Sequence, residues 1–347
     1  CITINSQTVG AGYPVFIIAE AGVNHNGELA LAKRLVDVAS ESGAQAVKFQ
    51  TFRTESLVTI NAPKADYQLI STGSQGYQRD FLRQLELSDD DHRQLKAYCE
   101  EKKILFLSTP FDERSVDFLE ELGVPAFKIG SGELTNIPFL TYVAQKAKPM
   151  IVSTGMSNLS EVETAVQAIE SEGNRDILLL HCVSNYPTLP NEVNLRAMNT
   201  LAQVLGRPVG FSDHTLGIEV ALASVALGSC VVEKHLTLDR KLSGPDHHVS
   251  LDPKEFFELV KGIRKVEEAL GHGRKEPASS EARASAVFRR SLVAAVDIPK
   301  GTQVVESMVA IKRPGTGLLP SHRQLLLGKY SRVDIPRDTL FSMEMFE

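Results

Sequence analysis

Two lysines and two histidines stand where short apolar runs of the sequence end, and side chains of these types can bind anions and metals. Lys48 and Lys128 follow apolar residues, and a buried ammonium there is costly unless an anion pairs with it. His214 and His235 also end apolar runs, and imidazole nitrogens are good ligands for a divalent ion. The four residues therefore predict a site for a small anion beside a metal.

Serine and glycine surround the predicted anion site in two motifs, KIGSGE (128–133) and STGM (153–156). Glycines let backbone amides approach an anion, and the hydroxyls of Ser131 and Ser153 add donors. The two motifs together predict a cradle for phosphate and carboxylate groups. The alternative is that each lysine pairs with a neighbouring glutamate.

The metal site is predicted to be open. Asp213 and Asp246 lie near His214 and His235 in the sequence, and no third histidine or cysteine is an obvious ligand. Such a site keeps water molecules and suits Lewis-acid catalysis better than a structural zinc does.

Further polar residues at the ends of apolar runs have both functional and structural interpretations. Glu20 and Glu133 could position hydroxyls or move protons, although Glu20 could instead pair with Lys48. His25 and His181 are candidates for the same cleft; the alternative is a hydrogen-bonded loop residue for His25 and a buried structural residue for His181. His247 and His248 are expected on an exposed rim.

These residues are positioned by a repeating pattern of strand and helix from residue 14 to about 270. Near-continuous apolar runs are typical of parallel strands buried on both faces, and eight of them predict a (β/α)8 TIM barrel, with an open doubly wound sheet as the alternative. The predicted strands are 15–20, 46–50, 104–109, 126–130, 149–154, 177–182, 208–212 and 231–236. Active sites of such barrels lie at the carboxyl ends of the strands, and here every strand ends in polar residues.

Three segments lie outside the predicted strands and helices of the barrel. Residues 51–87 are rich in Ser, Thr, Gln and Gly and are predicted to form an active-site loop. Residues 271–285 are polar with little periodicity and are predicted to be a linker. Two similar runs, ending in DIPKGT and DIPRDT, then indicate a small β-rich domain. The predicted organisation is a barrel over 1–270, a linker over 271–285 and a small domain over 286–347.

Composition excludes several classes of function. The formal net charge of −6 argues against nucleic-acid binding, which needs clustered Lys and Arg. The most apolar stretch, 221–232, is well short of the ~20 residues that a membrane span requires. The four cysteines are sparse, and the first residues lack a basic region followed by an apolar one, so we expect no signal peptide and a cytoplasmic location.

Nine motifs in this order resemble the N-acetylneuraminate (sialic acid) synthase family of bacterial type, which includes the legionaminate synthases. The similarity is collinear from about residue 14 to 345, and residues 286–347 resemble the family's antifreeze-like SAF domain. The motifs are AEAGVNHNG (19–27), VKFQTF (47–52), FLSTPFD (106–112), KIGSGE (128–133), STGM (153–156), SNYPT (184–188), GFSDHT (210–215), EKHLTLDRKLSGPDHH (233–248) and KRPGTG (312–317).

The resemblance implies a metal-dependent condensation of phosphoenolpyruvate with the aldehyde of an open-chain N-acetylated amino sugar. It assigns Mn²⁺ or Mg²⁺ to His214 and His235. It assigns phosphoenolpyruvate to Lys48, Thr109, Lys128, Ser131, Ser153 and Ser212, with either Ser184 or Asn185 on the carboxylate. It assigns the sugar and the proton chemistry to Glu20, Gln50, Glu133, Tyr186 and Asp246, with Lys48 also catalytic.

The resemblance also implies a domain-swapped homodimer in which Arg313 of one chain contacts the sugar's acyl group in the other. The sugar is expected to be N-acetylmannosamine, with 2,4-diacetamido-2,4,6-trideoxymannose as the alternative. Two other classes compete with a synthase: a metal-dependent barrel hydrolase or aldolase, and a non-catalytic ice-binding protein. The first would need a third strong metal ligand or a Schiff-base lysine, and the second a flat threonine-rich face.

Overall fold

The computed structural model describes residues 1–64, Leu69 and 76–347, and it divides the chain into two units, Cys1–Gly271 and His272–Glu347. The first unit contains eight parallel strands in the order β5-β4-β3-β10-β9-β8-β7-β6. The end strands β5 and β6 contact each other, so the barrel is nearly closed. The predicted TIM barrel is confirmed. The strands are β3 Phe16–Gly22, β4 Ala46–Thr51, β5 Leu105–Pro110, β6 Phe127–Ile129, β7 Met150–Ser153, β8 Ile177–His181, β9 Val209–Asp213 and β10 Val231–His235.

The barrel interior changes character along each strand. Successive residues of a strand point to opposite faces, so that Ile17 and Val47 pack with the helices. The alternate positions form a second apolar cluster inside the barrel, which includes Phe16, Ile18, Ala46, Leu107, Ile151, Leu178, Leu180 and Val231. Two residues further along β3 and β4, the same inner face carries Glu20 and Lys48. The apolar filling therefore ends where the polar site begins.

Amphipathic helices cover the outer face of the barrel. Several begin at a residue whose side chain accepts a backbone N–H of the first turn, for example Ser88, Asp112 and Asn158, which satisfies donors that helix starts leave free. The helices are Leu29–Glu41, Asp89–Glu101, Glu113–Leu122, Ile137–Ala144, Leu159–Ser171, Ala197–Leu205, Glu219–Ala226 and Pro253–Leu270.

An antiparallel hairpin that the sequence pattern did not predict lies at the start of the chain. Its strands are β1 Ile2–Ile4 and β2 Gln7–Val9. Ile2, Ile4 and Val9 are buried in the same apolar cluster as the barrel interior. The hairpin therefore covers the amino end of the barrel, opposite the polar site. Three-residue strands are too short to show a periodic pattern, so neither strand was predicted.

The described part of the segment predicted as an active-site loop contains two short helices, Thr54–Leu57 and Gln78–Arg83. Residues 65–68 and 70–75 of this segment lie outside the described residues. In the part of the chain that the structure describes, no helix is both long and apolar enough to cross a bilayer.

The second unit pairs β11 Ser291–Ala294 with β12 Val309–Lys312 in antiparallel register. It also includes the helices Ala282–Phe288 and Arg323–Leu326. The first of these begins inside the predicted linker, where three alanines within six residues favour a helix. The apolar core of the unit comprises Leu292, Ala294, Ile298, Val304, Val309, Leu326, Ile335, Phe341 and Phe346.

The two similar DIP turns of the second unit face one another. Ile298 and Ile335 exchange two backbone hydrogen bonds, each 2.8 Å. The carboxylate of Asp334 accepts the backbone N–H of Lys300, and that of Asp297 accepts the backbone N–H of Arg337, both at 2.7 Å. The sequence similarity of the two runs therefore corresponds to a reciprocal pairing.

Candidate active site

A cavity of about 510 Å³ lies at the carboxyl ends of the barrel strands. Each of the eight strands, or the residues directly after it, contributes to its wall, as expected for a parallel barrel. The predicted site residues that line it are Glu20, Lys48, Gln50, Thr109, Lys128, Ser131, Ser153, Ser184, Tyr186, Ser212, His214, His235 and Asp246. The fold thus brings together thirteen of the sixteen predicted residues.

Lys48 occupies one side of the cavity and is almost fully buried. Its Nζ lies 2.7 Å from Glu20 Oε2 and donates a hydrogen bond of 3.1 Å to Thr109 Oγ1. Burial lowers the pKa of this ammonium, but attraction to Glu20 and Glu233 outweighs burial and raises the pKa above its usual value. Lys48 is therefore charged at neutral pH and lies beside the hydroxyl of Thr109.

Lys128 is the second buried cation, and nearby carboxylates offset the cost of its burial less than they do at Lys48. Its Nζ donates a hydrogen bond of 2.7 Å to Ser153 Oγ and lies 3.6 Å from Glu233 Oε1. Burial lowers the pKa of Lys128, and attraction to Glu233 only partly opposes this effect. A bound anion would restore the missing compensation.

The carboxylate of Glu233, which was not among the predicted site residues, lies between the two lysines and contacts both. Its Oε1 accepts a hydrogen bond of 2.9 Å from Ser212 Oγ, and its Oε2 lies 3.8 Å from Lys48 Nζ. Burial raises the pKa of this carboxyl, but the attraction to Lys128 and Lys48 outweighs burial and lowers it. The signal was available, since Glu233 stands two residues before His235 on β10 and so faces the same side.

The cavity is narrow at Gly155, beside Ser131 and Ser184. Ser131 Oγ accepts the Gly155 backbone N–H at 3.0 Å and lies 3.2 Å from Cys182 Sγ. A Cβ atom at Gly155 would lie 2.3 Å from Ser184 Oγ, a distance that no side chain permits. Glycine at this position is what allows the serine hydroxyls to converge.

Two carboxyl groups on the cavity bind protons unusually tightly. Burial raises the pKa of Asp246 to about 7. Burial also raises the pKa of Glu20 to about 7, with Lys48 opposing. Groups with pKa values near neutrality can both release and accept protons, as general acids and bases must.

His214 and His235 lie side by side, with ring centroids 5.5 Å apart. His214 Nδ1 donates to the Val183 carbonyl at 2.6 Å, which leaves its Nε2 with a free lone pair. His235 Nδ1 is buried and makes no hydrogen bond to the described residues. Burial lowers the pKa of both rings, so both are neutral at physiological pH. Two neutral imidazoles, one with an unsatisfied buried nitrogen, fit the donors that a divalent ion needs.

Asp213, expected near the metal ligands, points to the opposite face of β9. Its Oδ2 lies 2.8 Å from Lys234 Nζ, and both side chains are completely buried outside the barrel interior. Strand alternation explains this placement, because Asp213 directly precedes His214. Among the described residues, no cluster of three or more His, Cys, Asp or Glu side chains is arranged to hold a metal.

Three predicted residues do not line this cavity. Glu133 is half-buried and accepts a hydrogen bond of 2.7 Å from Asn136. Asn185 is exposed and donates a hydrogen bond of 3.3 Å to Glu192, whereas Ser184 lines the cavity. Arg313 belongs to the second unit, where it is exposed and its guanidinium stacks over the Phe288 ring.

The remaining histidines hold loops together. His25 and His181 are buried; His25 Nδ1 accepts the Gly27 N–H at 3.0 Å, and His181 Nε2 donates to the Val193 carbonyl at 2.7 Å. The expectation of an exposed rim was wrong for His247, which is fully buried because its ring bonds Thr237 Oγ1 at 2.7 Å. His248 is exposed.

The segment between β4 and β5 gives the cavity one largely apolar wall. Phe81, Leu82 and Leu85 line it, together with Gln78 and, from another loop, Phe111. The described part of the segment that was predicted as an active-site loop therefore does border the site.

Comparisons with known proteins find matching family models, similar sequences and a similar crystal structure. The NeuB family model matches residues 35–275, and the SAF domain model matches 289–347. An N,N'-diacetyllegionaminic acid synthase of Legionella pneumophila is 46% identical, over 97% of this chain and 96% of its own. The N-acetylneuraminate-9-phosphate synthase of Homo sapiens is 38% identical, over 98% and 94%. The crystal structure of an N-acetylneuraminic acid synthetase from Leptospira borgpetersenii superimposes with a TM-score of 0.73 at 37% identity, covering 82% of this chain and 94% of that one.

Proposed function

Since this chain belongs to the NeuB family and is a phosphoenolpyruvate-dependent condensing synthase with a carboxyl-terminal SAF domain, we propose that its barrel cavity joins phosphoenolpyruvate to the aldehyde of an N-acetylated amino sugar. The observation that supports this proposal most strongly is the buried pair of cations, Lys48 and Lys128, among hydroxyl donors beside two neutral histidines.

The two lysines would bind the phosphate and carboxylate of phosphoenolpyruvate. Lys48 with Thr109, and Lys128 with Ser153, supply charge-assisted hydrogen bonds. Ser131, Ser184 and Ser212 bring further hydroxyl groups to the same cavity. Because the donors are already in place, they would stabilise the negative charge that collects on the phosphate as it leaves, without reorganisation.

His214 and His235 would hold a divalent ion, Mn²⁺ or Mg²⁺, which supplies Lewis-acid polarisation of the aldehyde oxygen when bound. The methylene carbon of phosphoenolpyruvate forms the new bond to the aldehyde carbon, whose oxygen becomes a hydroxyl. Water adds to the enolpyruvyl carbon, and phosphate leaves by cleavage of its C–O bond. Glu20 and Asp246 would accept and return the protons of these steps.

Two sugars meet the description of the acceptor. N-acetylmannosamine would give N-acetylneuraminate, and 2,4-diacetamido-2,4,6-trideoxymannose would give diacetyllegionaminate. The apolar wall of Phe81, Leu82 and Leu85 favours the second sugar, since methyl and acetamido groups lose less hydration there than two hydroxyls do. An apolar wall discriminates only modestly, by up to ~10²-fold.

Side-by-side kinetics test the proposal. Phosphate release should require phosphoenolpyruvate and an acceptor together, and kcat/KM should be compared for the two sugars under identical conditions. Release of phosphate from phosphoenolpyruvate alone, or release that neither sugar stimulates, would contradict a synthase of this specificity.

We also propose that the active form is a homodimer in which Arg313 of one chain completes the sugar site of the other. The support is an exposed guanidinium on a small unit of 76 residues, His272–Glu347, and Arg presents planar donors suited to an acyl carbonyl. Mixing the weak variants Arg313→Ala and His235→Ala, under conditions that exchange subunits, should restore part of the activity. A mixture that stays inactive while exchange is shown directly would contradict completion in trans.

A further inference from the structure

The outer face of β9 and β10 carries an ion pair directly behind the two histidines of the cavity. Lys234 and Asp213 are completely buried, and their Nζ and Oδ2 atoms lie 2.8 Å apart. Neither side chain lines the cavity. The synthase chemistry described above therefore makes no direct use of either group.

Lys234 contacts the chain on both sides of His214. Its Nζ bonds the side chain of Asp213 at 2.8 Å and the backbone carbonyl of Thr215 at 2.5 Å. Asp213 Oδ1 in turn accepts the backbone N–H and the hydroxyl of Thr215, both at 2.8 Å. The residues before and after His214 are thus tied to one ammonium group, which belongs to the residue directly before His235.

The backbone pairing between β9 and β10 does not link the two histidines directly. The paired register between β9 and β10 ends at Asp213 and Lys234, and His214 lies beyond the end of β9. His235 is paired on its other side, with Glu20 of β3. Where the ladder between β9 and β10 stops, the side chain of Lys234 continues the connection.

We propose that Lys234 is a positioning residue that sets the separation and orientation of His214 and His235 for a divalent ion, with Asp213 as its anchor. Strand alternation turns the anchor outward and both imidazoles inward, so the tether acts from behind the site without occupying it. This inference rests on the proposed role of the two histidines as metal ligands.

The alternative role of such a pair is stability alone. A buried ion pair frequently contributes no more to stability than apolar residues of similar volume would, whereas removal of one partner leaves a costly unpaired charge. Lys234→Met by itself would therefore confuse the two roles, because Asp213 would stay charged. The double variant Lys234→Met with Asp213→Asn removes both charges and keeps an oxygen that can accept the Thr215 N–H.

The test measures Mn²⁺ binding to metal-stripped protein by isothermal titration calorimetry, separately from activity. Wild type should bind Mn²⁺, and His235→Ala should not, which establishes that the signal comes from this site. In the double variant the Kd for Mn²⁺ should rise ~10–100-fold, the usual cost of losing an outer partner of a metal ligand. Binding of phosphoenolpyruvate without metal should change less than about twofold, the scale of independent sites.

Ser108→Ala is the matched control. Ser108 is buried on the outer face of β5 and bonds Thr51 Oγ1 at 2.7 Å, so it also joins two strands from behind, but no histidine follows it. Its Kd for Mn²⁺ should equal that of wild type. A folded double variant with wild-type Mn²⁺ affinity would overturn the positioning role, and so would an equal loss in Ser108→Ala. Absence of Mn²⁺ binding in wild type would overturn the metal site itself.

Discussion

At the amino end of the barrel interior, Phe16, Ile18 and Leu178 pack beneath the hairpin residues Ile2 and Ile4. At the carboxyl end of the same strands, acids, ammonium groups and imidazoles surround a cavity. The two ends are separated by two to four residues along each strand. The same inward-facing positions of a strand therefore carry apolar residues at one end and site residues at the other, because alternate residues keep facing the barrel interior along the whole strand.

The apolar end makes the polar end possible. Lys48 and Lys128 are nearly inaccessible to water, and ammonium groups in such places are costly to the fold. The close-packed layers below them supply burial free energy that offsets this cost. Substitutions at the polar end should therefore lower activity more than stability, and substitutions at the apolar end should lower stability more than activity.

The largest effect is expected at the carboxyl end. His235→Ala should lower kcat by about 10³-fold or more, because Lewis-acid activation contributes several kcal/mol, while the thermal midpoint of unfolding stays near that of wild type. Phosphate release with both substrates and excess Mn²⁺ gives the rate, and calorimetry gives the midpoint. More than a tenth of wild-type kcat in the folded variant at excess Mn²⁺ would remove His235 from the mechanism.

At the amino end the result should be reversed. Leu178→Ala should lower the free energy of unfolding by ~2–5 kcal/mol through lost burial and a cavity, with kcat and both KM values of the folded protein unchanged at low temperature. Urea unfolding of the full chain measures the first quantity and steady-state kinetics the second. A loss of kcat matching the loss of stability would show that the two ends are not separate.

Within the polar end, a substitution beside one substrate should change the KM of that substrate and not that of the other. Lys128→Ala should raise the KM for phosphoenolpyruvate by ~10²-fold, as expected for a lost buried charge contact, and leave the KM for the sugar within a few-fold. Lys146→Ala, which removes an outer lysine paired with Asp117 and Glu120, is the control and should change neither. Equal effects of Lys128→Ala on both substrates would contradict the assignment of this side to phosphoenolpyruvate.

The smallest effect concerns protons. Burial raises the pKa of Asp246 from 3.8 to about 7, so the folded, metal-free protein binds this proton more tightly than the unfolded chain does. The resulting stability is fully present below about pH 3.8 and is lost as the pH rises through about 7. Asp246→Asn should remove this contribution, whereas Glu20, whose pKa burial also raises to about 7, keeps its own contribution in both proteins. Calorimetric midpoints in chelator, measured from pH 4 to 8 for both proteins, test it; parallel curves would show that Asp246 is not buried as described.

Much of the barrel and its site could be predicted because both depend on strand periodicity. The predicted strands agree with β3 to β10 to within one or two residues at most ends, and lysines and histidines after apolar runs were correctly expected to converge. Strand alternation also distinguishes Asp213 from Glu233. Asp213 directly precedes His214 and so faces away from the cavity, whereas Glu233 is two residues before His235 and so faces into it.

The remainder depends on contacts that a linear pattern does not contain. The β1–β2 hairpin is recognisable only through the barrel interior that its isoleucines fill. Asn185 and Ser184 are neighbours after β8, and the Asn185 contact with Glu192 distinguishes them. Likewise, the burial of His247 follows from its hydrogen bond to Thr237, ten residues earlier.

In the second unit, the DIP turn around Ile298 and the DIP turn around Ile335 each supply the hydrogen-bond partners of the other. Ile298 and Asp297 are hydrogen-bonded to the run around Ile335, and the reverse is equally true. A backbone cut at the exposed Thr316, between the two halves, would therefore yield two fragments with complementary unsatisfied groups. Such fragments are suited to conditional reassembly, in which two separately expressed pieces regain the unit only when they are brought together.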